Sequence, residues 1–168
     1  MTARFLVLAL PVLYACRPAE QAPEATPPPA APASTPATVT AAEFQRLRWL
    51  EGTWRGTGGG VAPFFERYRF VDDSTMRRYS YSDSSFAEIS DSGTTTLRGA
   101  RVASGDLEPE WQVTAVDSVS WRFESLREAG RGFTWSRTTD DLWTARLVWR
   151  DPENNARERI YTLTRLTR

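Results

Sequence analysis

Beyond Gly60 the apolar residues of this chain fall on alternate positions. That is the period of a strand with one face turned inward. Trp111, Val113 and Ala115 share a face, as do Trp121 and Phe123, and Phe133 and Trp135. In the longest run Trp143, Ala145, Leu147 and Trp149 face one way, with Thr144, Arg146 and Arg150 opposed. The pattern predicts strands over 63–71, 75–82, 86–90, 94–102, 111–116, 119–126, 132–138, 142–150 and 157–167. Turn residues separate them: Asp72-Asp73-Ser74, Asp91-Ser92-Gly93, Ser104-Gly105-Asp106, Val116-Asp117-Ser118, Glu128 to Arg131, Asp140-Asp141, and Asp151 to Asn155. Short strands with turn signals every 8–12 residues or so indicate an all-β sandwich or barrel. Short links between consecutive strands favour up-and-down order and closure. The predicted fold is an all-β, antiparallel up-and-down β-barrel of about eight to ten strands.

A short helix should precede the barrel. Thr40 and Glu43 have the spacing of a capping box. Phe44, Leu47 and Leu50 follow at helical spacing, and Gly52 ends the run. Further upstream the pattern changes twice. Arg17 to Thr40 holds seven prolines in 24 residues and no aromatic, so it has little to bury against its ordering entropy. A Pro-rich stretch of that length reaches up to about 70 Å. Before it, Arg4 and the apolar run Phe5 to Ala15 have the charged start, short apolar core and small final residue of a secretory signal. The run is too short to span a bilayer. The expected organisation is therefore a signal peptide over 1–15, a disordered Pro/Ala-rich linker over 16–40, and one barrel domain over 41–168.

Leu13-Tyr14-Ala15-Cys16 resembles the lipobox of bacterial lipoproteins. The resemblance implies that Cys16 becomes the N-terminus and carries the lipid, palmitate included. Arg17 lacks the acidic character that such proteins use for inner-membrane retention. The implied address is the cell envelope, lipid-anchored at the outer membrane and facing the periplasm. Cys16 is the single cysteine, so no internal disulfide is possible.

Charge narrows the partners. Loss of Arg4 with the leader leaves 20 arginines against 21 acids, and the chain has neither Lys nor His. Scattered arginines without a basic stripe argue against nucleic acid. A monomer with a membrane anchor and no nucleic-acid partner is expected.

Leu50-Glu51-Gly52-Thr53-Trp54-Arg55-Gly56 follows the helix and opens the first strand. It resembles the G-x-W opening of lipocalins, and with Trp49 it is similar to the opening of nitrobindin-like and uncharacterised lipocalin-like domains of secreted bacterial proteins. The resemblance implies a calycin-type barrel in which an arginine near the end of the last strand packs over the motif tryptophan. Arg165 fits that role, with Arg159 and Arg168 as alternatives. Nitrobindins hold haem through His, which this chain lacks, so no cofactor is expected.

Absence of His also removes Ser-His catalysis and ordinary zinc ligation. The Gly56–Gly60 run lacks the Lys-Ser/Thr of a phosphate loop and fits a bulge or close strand approach. No catalytic or metal site is expected, and the chain reads as a non-enzyme. The polar feature that stands out is Glu66, on one face with Phe64, Tyr68 and Phe70. A carboxylate among aromatics needs a partner; Tyr79, Tyr81 and Arg159 are candidates. It forms either an internal pair or the polar anchor of an apolar ligand site. The candidate ligand-binding set is Trp54, Glu66, Tyr68, Tyr81, Trp121, Trp135, Trp143 and Trp149. Trp54 reads more readily as a plug that closes one barrel end than as a ligand contact. A barrel of this size is either filled by its own side chains or holds one small ligand. The expected function is thus a lipoprotein binding a small hydrophobic molecule; the alternative is a filled barrel serving as a structural or protein-interaction module of the envelope.

Overall fold

In the computed structural model, residues 34–105, 108 and 110–166 are described. Cys16, the predicted signal and linker residues up to 33, and Arg168 lie outside the described residues.

Thr40 caps the helix as its spacing predicts. Its hydroxyl accepts from the Glu43 backbone N–H at 3.2 Å, and the Glu43 carboxylate accepts from the Thr40 N–H at 2.8 Å. The helix α1 (Ala41–Gln45) tightens directly into a 3-10 helix over Arg46–Leu50. Phe44, Leu47 and Leu50 are fully buried on its inner face.

Ten strands follow: β1 (Gly52–Gly58), β2 (Phe64–Asp72), β3 (Thr75–Tyr81), β4 (Ile89–Arg98), β5 (Arg101–Gly105), β6 (Trp111–Val116), β7 (Ser120–Ser125), β8 (Gly132–Thr139), β9 (Leu142–Arg150) and β10 (Ala156–Arg165). Each pairs antiparallel with the next, and β1 pairs with β10 to close the barrel. The fold is the predicted up-and-down barrel.

The helical segment stops one end. Phe44 meets Phe70 and Trp121 edge-on, and Trp49 and Trp54 both meet Trp143. Trp54 is completely buried, and its indole N–H donates to the Leu50 carbonyl at 2.7 Å. Arg165 lies over the Trp54 ring, 4.1 Å from its centroid. The same guanidinium donates to the carbonyls of Glu51 at 2.6 Å, Trp49 at 2.8 Å and Asp140 at 3.0 Å. One side chain thus ties the plug, the β8–β9 turn and the last strand together.

Three local expectations differ from the structure. Asp91-Ser92-Gly93 is not a turn but lies within β4, and the β4–β5 turn falls at Gly99-Ala100. Ala115 does not share a face with Val113. A bulge between them moves Ala115 to the exposed side, and the following Val116 packs on the core. Ordered structure also begins before Thr40. Val39 is 1% exposed and belongs to the core; its N–H donates to Ala100, and the N–H of Ala37 donates to Val113. Arg101 and Gln112 bond the carbonyls of Pro36 and Ser34. This strap lies where the wall is thinnest, because β5 and β6 share only the pairs Ala103–Gln112 and Ser104–Trp111.

Candidate functional site

A cavity of about 890 Å³ occupies the barrel above the plug. It runs toward the end that holds the β1–β2, β3–β4, β5–β6, β7–β8 and β9–β10 loops. Aromatic rings make one part of its wall: Phe64 and Tyr68 from β2, Trp111 from β6, Phe133 and Trp135 from β8, Trp143 from β9 and Tyr161 from β10. The rings meet mostly edge to face, as the quadrupoles of aromatic pairs prefer; Tyr68 stands against both Trp135 and Trp143 in this way. Gly56 makes part of this room. A Cβ there would overlap the Phe64 ring, so a bare backbone lets that ring fold over β1.

The polar side of the cavity is built from three adjacent strands. Glu66 on β2 pairs with Ser80 on β3, and Tyr68 with Arg78. On β4, Gly93 stands opposite Arg78. Its missing side chain leaves space for the guanidinium, since a Cβ there would come within 3.3 Å of Arg78 Nη2. The Tyr68 hydroxyl donates to Glu66 Oε2 at 2.7 Å. Arg78 Nη1 lies 3.4 Å from Glu66 Oε1 and also donates to the Ser80 hydroxyl, while Nη2 donates to Asp91 Oδ2 at 2.7 Å. Arg78 therefore bridges an inner and an outer carboxylate. The Glu66 side chain is 12% exposed, against 63% for Asp91.

Burial sets the protonation behaviour of this network. It raises the Glu66 pKa above the usual carboxylate value, although Arg78, Tyr68 and Ser80 all pull the other way. Burial, followed by the charge of Glu66, raises Tyr68 well above an ordinary phenol, so its hydroxyl stays a donor. Burial alone would lower Arg78, but Glu66, Tyr68 and Asp91 outweigh it and raise its pKa.

One donor in the wall has no partner. The indole N–H of Trp143 is buried and meets no acceptor among the described residues, although its ring lines the cavity. Groups of this kind are scarce in folded proteins, and a bound water or ligand is their common partner.

Of the sequence-predicted set, Glu66, Tyr68, Trp135 and Trp143 come together in the cavity wall. The other four lie elsewhere. Trp54 and Trp121 belong to the plug. Trp149 is half-buried, with the Arg159 guanidinium 5.7 Å from its ring. Tyr81 faces outward, where it packs against Phe86 and lies below Arg67. The partners of Glu66 are correspondingly Tyr68, Arg78 and Ser80, not Tyr79, Tyr81 or Arg159. Sequence reasoning missed Arg78, Asp91, Trp111, Phe133 and Tyr161. The alternation Met76-Arg78-Ser80 was the available signal for the first of these.

Among the described residues no cluster of three or more His, Cys, Asp or Glu side chains could hold a metal ion. Nor is any helix among them long and apolar enough to cross a membrane.

No protein family and no curated protein matches this sequence. The solved structures to which the chain is similar include two barrels. One is EF1p2_mFAP2b bound to DFHBI, with 10% identity and a TM-score of 0.39 over 74% of this chain and 99% of the other. The second is a redesigned beta barrel, b11L5F_LGL, with 10% identity and a TM-score of 0.34 over 78% of this chain and 99% of the other.

Proposed function

We propose that this protein is a lipid-anchored envelope protein whose barrel binds a small, largely hydrophobic molecule. The observation that carries the binding reading is the aromatic cavity of about 890 Å³ with a buried carboxylate in its wall. Ligand sites commonly fall between about 300 and 1,000 Å³, with apolar walls and a few placed polar groups. The unpartnered Trp143 N–H supports the same reading. A barrel filled by its own side chains would leave no such space. The anchor reading rests on the lipobox-like segment ending at Cys16 and on the Pro-rich stretch after it.

The binding reading is tested with the neutral dye N-phenylnaphthylamine, whose emission rises on entering an apolar site. Saturable uptake is expected. The cavity-filling variant Leu147→Trp should weaken it by about tenfold or more, because the larger side chain takes up room that the ligand would occupy. Uptake that never saturates, or that is equal in a folded Leu147→Trp variant, would overturn it. Cys16→Ser should move the protein out of the membrane fraction and abolish labelling by palmitate.

A further inference from the structure

We propose that the cavity selects an organic cation: a molecule with an apolar or aromatic body and an ammonium head. This rests on the binding reading above and gives it a ligand class.

The first argument is the charge of the wall. Four carboxylates line the cavity, Glu66, Asp91, Glu108 and Glu110, against two arginines, Arg78 and Arg127. Both arginines are already engaged. Arg78 is held between Glu66 at 3.4 Å and Asp91 at 2.7 Å, and Arg127 lies 3.6 Å from Glu110. The chain has no Lys or His to add positive charge. Two further arginines stand near the rim without lining the cavity. Arg131 is paired with Glu128, and Arg159 lies over Trp149 and reaches the Tyr161 hydroxyl. A concave site with excess charge of one sign and low-dielectric walls focuses its field and concentrates the opposite charge. Glu66, Asp91 and Glu110 make the arginine pairs and Glu108 stands beyond them, so an anionic guest, a fatty acid for instance, would meet no arginine of the described wall without a carboxylate partner.

The second argument is the aromatic surface. Tyr68, Trp135, Trp143 and Tyr161 present ring systems to the same space, and Trp111 beside them already has the Arg131 guanidinium 5.4 Å from its ring centroid. The faces of such rings attract cations, Trp most strongly, and the attraction grows when the pair is shielded from water. Independently, the Trp143 N–H lacks an acceptor among the described residues. A guest that also carries an ether, ester or carbonyl oxygen would supply one.

The test compares three probes of matched shape: phenylbutyl(trimethyl)ammonium, its neutral carbon isostere, and phenylbutane sulfonate. Each is titrated against protein loaded with N-phenylnaphthylamine, at low and at high salt. The cation should displace the dye at about tenfold lower concentration than the isostere, as expected for cation–aromatic contact in a shielded site. The sulfonate should be the weakest. Added salt should narrow the difference, since it screens the more exposed Asp91, Glu108 and Glu110. In Asp91→Asn, and more so in Asp91→Asn/Glu110→Gln, the ratio of cation to isostere affinity should fall several-fold. Asp91 is exposed enough for that variant to fold. Equal displacement by cation and isostere, or preference for the sulfonate, would overturn the charge selectivity while leaving the binding reading intact. Failure of the neutral dye itself to bind would overturn the binding reading, and this inference with it.

Discussion

Glu66 holds a carboxylate where water barely reaches, and that makes its proton a stability switch of known sign. Its pKa is raised in the folded chain above the ordinary 4.5, with burial the leading cause. Below that value both folded and unfolded chains carry the proton, and pH has no effect through this group. As pH rises past it, the unfolded chain ionises first while the folded chain keeps the proton. Stability therefore falls across that window and levels off once the folded group has ionised. The Glu66→Gln variant lacks this term. Wild type should accordingly lose stability relative to Glu66→Gln as pH rises from about 4.5, measured by urea unfolding across a pH series. A constant difference would mean that Glu66 keeps its ordinary pKa. Glu43, Asp72, Asp83, Asp117 and Asp151 have lowered pKa values and shift stability in the opposite sense, but they are common to both proteins and cancel. That Glu66 sits inside was legible from its aromatic neighbours at even spacing. Its partners were not. Tyr79 and Tyr81 are more apolar than Arg78 and Ser80, so β3 reads as though the tyrosines point inward. What reverses it is distant in the pattern: Phe86, in the β3–β4 loop, covers Tyr81 from outside. A glycine on the next strand makes room for the arginine within.

At the scale of elements, Arg165 does the work of a rivet. It joins the 3-10 helix, the start of β1, the β8–β9 turn and β10, and its guanidinium covers a buried indole. Arg165→Ala should cost about 1.5–3 kcal/mol, the range for hydrogen bonds made by charged groups. Arg165→Lys should recover little, because an ammonium cannot reproduce the planar fork. Thermal or urea unfolding distinguishes these outcomes from an ordinary surface substitution, which would change stability by half a kilocalorie or so. The position of Arg165 was legible through the G-x-W opening and the last strand. The helix was legible through its capping box and apolar spacing. The β4 register was not: Asp-Ser-Gly has the composition of a turn, and only the pairing with β3 shows it to be strand. Nor could periodicity anticipate the bulge that turns Ala115 outward, since an inserted residue breaks the very period being read.

For the whole molecule, the domain boundary is where composition misleads. The Pro- and Ala-rich stretch reads as linker up to Thr40, yet one apolar residue inside it, Val39, is as buried as any in the barrel. Its site lies where β5 and β6 part company beyond the pair Ala103–Gln112, a non-local fact with no local signature. A chain beginning at Ser34 should unfold cooperatively with full stability. A chain beginning at Ala41 should still be β-rich but less stable by about 1.5–3 kcal/mol from the loss of a buried valine alone. Equal midpoints for the two in urea would show that the strap contributes nothing.

The same strap gives the barrel a mechanical polarity. Tension applied from the N-terminal side would pass through Ser34–Val39 into the one seam of the wall held by two residue pairs. Ser104 and Trp111 belong both to that seam and to the wall of the cavity. A pull on the tether would therefore load the cavity wall before it loads the plug. Pulled from the opposite terminus, the chain would instead strain β10 and its rivet. In a single-molecule stretching experiment with one handle fixed on β8, pulling from Ser34 should yield at a lower force than pulling from Arg165.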